Sequence, residues 1–195
     1  MRCVIVASGP SAKGFVPPAG VTVIAVNGAI EWLERADYWF TLDPSDANQR
    51  RMRQRRAGVS YCAAVSDDVL LPLGVNRFRR IAKRGSEPER ATPEWWLWRW
   101  SAVLGLSECI SAISTGNSAY GALGLAYHLG AERVALVGVD ASAEERVGRG
   151  WPNDLSHLPL LFESALSQID VINCGAMVSK LPAMSIAEGM EWLTQ

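Results

Sequence analysis

The sequence predicts an open α/β sandwich, Rossmann-like in the broad sense, with a mostly parallel sheet and helices on both faces. Three observations point there. Short apolar runs alternate with longer amphipathic ones, the pattern of strands and helices taking turns. The short runs, CVIVA, VTVIAV and VALVGV among them, are rich in Val, Ile and Ala and lack polar alternation, which suits strands covered on both sides. A chain of 195 residues, 49% apolar and 20% charged, is long enough for one domain with a real core and too apolar for the disordered or fibrous classes.

The elements follow in order. Cys3 to Ala7 reads as a buried strand, followed by the turn-rich ASGPSAKGF, a Pro-Pro linker and a second strand from Val21 to Val26. A helix from Gly28 to Arg35 precedes a strand from Tyr38 to Leu42. Asp43-Pro44 is expected to start a helix running to about Arg56, with the acid as N-cap and proline at the first helical position. Val59 to Ala64 is a fourth strand, and residues 65 to 112 show no clear period; a basic and Trp-rich embellishment of the single domain is expected over about 65–110. Asn117 to Leu129 is a helix stopped by Gly130, and Val134 to Val139 a strand closed by Gly138 and Asp140. A loop from 141 to 156 carries Gly148, Gly150, Pro152 and Asn153, and a helix from Leu158 to Gln168, a strand from Val171 to Cys174 and a helix from Ser185 to Leu193 follow.

Composition narrows the class. Cys3, Cys62, Cys109 and Cys174 are widely spaced, none with metal-ligand spacing, and three lie in apolar runs, so buried free thiols in a reducing compartment are expected. Met1-Arg2 leads directly into the first strand, with no apolar stretch of signal-peptide or membrane-span kind. A cytoplasmic protein without a membrane partner is the expectation. The formal net charge of −1 is an average over unlike parts. Residues 50 to 90 hold eleven basic and four acidic residues, whereas residues 100 to 195 hold four basic and ten acidic.

In open parallel sheets, ligands bind beyond the carboxyl ends of the strands. The residues there are Ser8-Gly9-Pro10-Ser11, Asn27, Asp43, Asp140, and Asn173 to Gly175. Ser8 to Ser11 is either a phosphate cradle of backbone N–H groups and hydroxyls or a plain turn; it is neither a dinucleotide fingerprint nor a P-loop. Asn27 and Asp43 fit helix caps, and the Asn27 amide can also read a base or ribose edge. Asn117-Ser118 opens a helix as an anion site or a redundant cap. His128 closes a helix, where an imidazole interacts favourably with the dipole. His157, at the end of the glycine-bearing loop, is either a general base or a cap for the following helix. The sequence has no His-x-x-x-His or Asp-x-Asp, and no metal is called for.

Arginine outnumbers lysine sixteen to three, with the strongest runs at Arg50-Arg51-Met-Arg53-Gln-Arg55-Arg56 and Arg77-Phe-Arg79-Arg80. Such forks favour bidentate phosphate contacts, or else form a solvated face. Trp95-Trp96-Leu-Trp98-Arg-Trp100 stacks on bases or sugars, or forms a small satellite core.

Taken in order, ASGPSA, VNGA, YWFTLDPS, GNSAYGALGLAYHLGAERVALVGVD and VINCGAMVSKLP resemble the family-42 sialyltransferases, together with related phage and bacterial proteins of unknown function and the archaeal pterin pyrophosphokinases. The resemblance covers most of the chain outside about 65–110. It implies that Ser8, Gly9, Pro10, Ser11 and Asn27 hold the nucleotide of a sugar donor, Ser8 standing for the family's asparagine. Asp43, an asparagine there, would line the same site. Asn117-Ser118-Ala119 stands where the family has Thr-Ser-Gly, making Ser118 a donor contact, and His157 would be the general base. The family's arginine before Thr-Ser-Gly falls near Thr115 here, so one feature of the sialic-acid site is replaced.

The expected function is therefore a metal-independent, cytoplasmic glycosyltransferase with a nucleotide-sugar as co-substrate and no other cofactor. Asn117, Ser118 and Asp140 join the donor site, and His157 takes a hydroxyl proton from the acceptor. Arg50, Arg51, Arg53, Arg79, Arg80, Trp95 and Trp98 form the acceptor side, which suits hydroxymethylated phage DNA contacted through residues 50–84 with the target base flipped out. Self-association stays open. The alternatives are a pterin-type pyrophosphokinase with Mg²⁺ on Asp43, Asp46 or Asp140, and a non-catalytic nucleic-acid-binding module.

Overall fold

A computed structural model describes residues 1–148 and 154–195. Gly150, Pro152 and Asn153 of the expected loop lie outside the described residues. The chain runs from β1 (Arg2–Val6) through a 3₁₀ turn (Pro10–Ala12) to β2 (Thr22–Val26), then through a second 3₁₀ turn (Asn27–Glu31) to β3 (Tyr38–Thr41). α1 (Asp46–Arg53), β4 (Ser60–Ala63), β5 (Val75–Arg77), β6 (Arg79–Ile81), α2 (Pro93–Arg99) and β7 (Ala112–Ser114) follow. The last part is α3 (Ser118–His128), β8 (Arg133–Val137), α4 (Leu158–Glu163), β9 (Asp170–Asn173) and α5 (Ile186–Thr194).

Among the described residues, seven strands form one sheet in the order β5-β4-β3-β2-β1-β8-β9, with every pair parallel. The open parallel sheet with helices on both faces is thus as the apolar runs predict. Its strands feed two cores. Cys3 and Ile5 of β1 pack with α3 and α4 on one face, while Val4 and Val6 pack with Met52 of α1 and Leu193 of α5 on the other. A strand buried on both sides needs no polar alternation, which is why these runs read as continuous. α3 is buried from Ser118 to Ala126. It comes close to the sheet because Gly121 carries no side chain: a Cβ there would lie 2.6 Å from Phe40 Cε1.

The unperiodic stretch after β4 resolves into one extended segment that changes partner. Phe78 N donates to Ala63 O of β4, and Arg79 N donates to Ser111 O beside β7. β6 and β7 then form a separate two-stranded parallel sheet. Strands of three residues, divided between two sheets, leave too short a run for a period to show.

Three expected helices differ. The helix over Gly28 to Arg35 is only the short 3₁₀ turn, because Arg35 is drawn away to donate to Asp37 Oδ2, Pro18 O and Val21 O. Asp43 is not the cap of α1: Ser45 occupies that position, and Asp43 accepts from Ser45 N at 3.0 Å and Ser45 Oγ at 2.8 Å in an Asx turn before it. α4 ends at Glu163, not Gln168, where Ser164 Oγ donates to Leu161 O at 2.6 Å, a local bond that competes with helix continuation. The four cysteines are free, with Cys3, Cys62 and Cys174 buried and Cys109 exposed. Burial pushes the Cys62 and Cys174 thiols up to about 11. No helix among the described residues is long and apolar enough to cross a membrane.

Candidate functional site

β2 and β8 lie on either side of β1, so the chain reverses its direction of progress across the sheet between β1 and β8. At such a switch point the loops leaving the two strands diverge and open a crevice. A cleft of about 270 Å³ lies there, lined by Ser8, Gly9 and Pro10 after β1, Asn27 and Gly28 after β2, Asp43 after β3, Asn117 and Ser118 before α3, and Asp140 to Ser142 after β8. Eight of the nine expected donor-site residues therefore meet in one place; Ser11 is the exception.

The cleft floor is held by Asp140. Its Oδ2 accepts from Ser11 N at 2.9 Å, and its Oδ1 accepts from Ser11 Oγ at 2.5 Å and Ala176 N at 2.8 Å. This carboxylate ties the loops after β1, β8 and β9 together. Neighbouring glycines make room for it: a Cβ on Gly9 would lie 2.3 Å from Asp140 Oδ2, and one on Gly175 would lie 2.4 Å from Asp140 Oδ1. Gly9 N donates to Gly138 O at 2.9 Å. The Gly9 and Ser11 N–H groups are thus spent on the protein, and a carboxylate occupies the place where the sequence suggests a phosphate cradle.

A second polar cluster forms the opposite wall. Asn27 Oδ1 accepts from Thr41 Oγ1 at 2.7 Å and from Asn48 Nδ2 at 3.2 Å, and Trp39 Nε1 donates to Asn27 O at 2.8 Å. These bonds hold Asn27 in the left-handed region at φ 51° and leave its amide N–H₂ without a partner among the described residues. Ala141, across the cleft, has the same φ of 51°. Non-glycine residues in this conformation cluster at ligand sites, where surrounding contacts hold them. Asn48, 1% exposed, also reaches Asp43 Oδ2 at 3.1 Å and accepts from Arg51 Nη1 at 2.6 Å. Arg51 Nε donates to Glu31 Oε1 at 2.9 Å. Ser118 Oγ accepts from Leu42 N at 3.1 Å, and Asn117 caps α3 by accepting from Ala119 N at 2.8 Å.

The remaining expected residues lie elsewhere. Of the acceptor-side set, only Arg51 lines the cleft; Arg50, Arg53, Arg79, Arg80, Trp95 and Trp98 do not. Much of the basic segment serves the fold. Arg56 donates to the carbonyls of Ile30, Leu33 and Glu34, Arg77 to those of Val65, Ser66 and Val69, and Arg55 to Leu73 O. The tryptophans of α2 pack on one another, Trp95 edge-on to Trp96 at 4.7 Å, with Arg84 4.6 Å over Trp98, and no residue of α2 is buried. His157 stands at 1% exposure behind the cleft wall formed by Leu155 and Leu158, and neither ring nitrogen has a well-formed hydrogen bond among the described residues. Burial holds its pKa below the usual histidine value, against the opposing influence of Asp154 and the Gly116 backbone. It does not line the cleft, and although it stands at the N-cap position of α4 its side chain makes no capping hydrogen bond.

Sequence reading missed Asn48, Arg146 and Glu144 as cleft residues. Asn48 left a signal: it lies four residues before Met52 on the buried face of α1, a polar side chain at a core position. Arg146 and Glu144 left none beyond lying in the loop after β8. No group of three His, Cys, Asp or Glu side chains suited to a metal ion occurs among the described residues.

The fold and cleft define a parallel α/β protein with a polar cleft at the switch point of its sheet. Comparison with family models, curated proteins and solved structures finds no match to this chain.

Proposed function

We propose that the chain is a glycosyltransferase that takes a nucleotide-sugar donor in the switch-point cleft and transfers the sugar to a hydroxyl acceptor. The observation that carries the reading is the lining: amides of Asn27 and Asn117, hydroxyls of Ser8 and Ser118, and two guanidinium groups, Arg51 and Arg146, around one crevice. Amides and hydroxyls suit a ribose and base, and guanidinium groups suit phosphate. In transfer, the acceptor oxygen bonds to the anomeric carbon as the bond to the donor phosphate oxygen breaks, and the electron pair leaves on the nucleotide. The acceptor proton goes to a carboxylate. Glu144 fits that role better than His157, since it lines the cleft and makes no hydrogen bond among the described residues, whereas Glu31 pairs with Arg51 and Asp43 holds Ser45.

Hydroxymethylated DNA remains the acceptor class we propose. Arg50, Arg53 and Lys83 are exposed without side-chain hydrogen bonds among the described residues, and α2 offers tryptophan faces for stacking. A thermal-shift panel of CMP-, UDP- and GDP-linked sugars, with and without hydroxymethylated DNA, tests the function. A donor at 100 times its dissociation constant adds about 2.7 kcal/mol. No stabilisation by any sugar nucleotide defeats the reading, and full turnover in Glu144→Gln with loss in His157→Ala returns the base role to the histidine.

A further inference from the structure

We infer that the anionic group of the cleft's ligand sits on Arg51, at the Gly28 corner of the cleft that Ser8 and Arg146 also line, and not in the Gly9–Ser11 turn. The inference rests on the reading of this cleft as a nucleotide site and assigns its phosphate end. Two sets of contacts decide between the candidate corners. In the turn, the Gly9 and Ser11 N–H groups and the Ser11 hydroxyl already donate to protein oxygens, two of them those of Asp140. An anion placed there meets a carboxylate and finds these donors taken.

At the other corner a cation is held ready. The Arg51 side chain is 18% exposed, its Nε fixed by Glu31 and its Nη1 by the buried Asn48. Its Nη2 makes no hydrogen bond among the described residues and lies 3.3 Å from where a Cβ on Gly28 would stand, a point itself 3.7 Å from Ser8 Oγ. Two acceptors thus lock the planar fork and leave its third nitrogen free at the corner that Gly28 keeps open, with Ser8 also bordering it, so binding an anion costs little further ordering. Arg146 joins from the loop after β8, which is pinned where Val147 N donates to Ser8 O at 2.8 Å. The nearby acids leave Nη2 open: Glu31 is bonded to Nε, Asp43 accepts from Ser45 and Asn48, and Glu144 makes no hydrogen bond among the described residues. Glycine at position 28 keeps the approach to Nη2 open.

The site takes a phosphate-class anion, and titration calorimetry on the full chain tests it with inorganic pyrophosphate, the monophosphates CMP, UMP and GMP, and the matching uncharged nucleosides. The expected result is tighter binding of a monophosphate than of its nucleoside, a preference lowered at least tenfold by Arg51→Gln and by Gly28→Ala, which fills the corner without removing a charge. Ser11→Ala is expected to change it less than twofold. Gly28→Ala keeps the test open should Arg51→Gln fail to fold. If pyrophosphate binds in an Arg51-dependent way and no nucleotide does, the anion site stands and the nucleotide reading falls. If a monophosphate preference survives both Arg51→Gln and Gly28→Ala, or if neither pyrophosphate nor any monophosphate binds, the inference is overturned.

Discussion

Removing the Asp140 carboxylate should loosen three strand ends at once. Asp140→Ala strands two backbone donors, Ser11 N and Ala176 N, and frees the Ser11 hydroxyl. An unsatisfied buried backbone donor costs about 1–3 kcal/mol. Here Ser11 is half-buried and Ala176 exposed, so water reaches both and the low end applies, giving a loss of about 2–3 kcal/mol. In urea, with a slope of about 2–3 kcal/mol per molar, the midpoint falls by about 1 M. A second variant isolates the cause. The Cβ of Gly175→Ala would meet Asp140 Oδ1 at 2.4 Å, and its next contact is Val139 O at 3.0 Å. Alone, this overpacking should cost about 1–3 kcal/mol; in the Asp140→Ala background it should cost clearly less, since the closest atom is gone. Additive losses, or an Asp140→Ala midpoint within about 0.2 M of the parent at unchanged slope, would refute the view of Asp140 as the tie.

Other outcomes follow from single contacts. Ala141→Gly removes a left-handed alanine at φ 51° and should stabilise the fold by up to about 1 kcal/mol, raising Tm by about 2–4 °C, if the strain belongs to the backbone alone. Arg56→Ala loses donations to three carbonyls and should cost about 1–2 kcal/mol, while Arg53→Ala, with no such contacts, should stay within about 0.5 kcal/mol; equal losses would contradict the structural role of Arg56. His157 has a folded pKa below its ordinary 6.5, so the unfolded chain takes up the proton first and stability declines as the pH falls below 6.5. His157→Gln should flatten that decline, by at most about 1.4 kcal/mol per pH unit. Denaturation curves from pH 7 to 5 with the same slope for both proteins would rule the effect out.

Much of the architecture was legible in the chain. The runs at Val4, Ile24 and Leu136 are apolar without alternation because their strands are covered on both faces, a fact that local pattern records directly. Asn27, Asp43 and Asp140 were identifiable as cleft residues because strand ends in such a sheet point to one edge, and Asn117 and Ser118 because they open a helix. The stretch holding β5, β6 and β7 was not legible, since a segment that leaves one sheet for another at Phe78 carries no single period.

The amino-acid sequence by itself determined the class of fold and the edge at which the cleft opens, because both depend on the order of apolar runs and the small residues that end them. The tertiary structure alone decided which polar groups are free to act. Ser11 and Asp140 are 129 residues apart and consume each other's hydrogen bonds, and the arginines at 56 and 77 are spent on backbone carbonyls. Arg51, expected on the acceptor side with the rest of its basic run, lines the cleft instead, where Glu31 and Asn48 hold it. A side chain's availability depends on what its neighbours in space have already bonded, and those neighbours come together only when the chain folds.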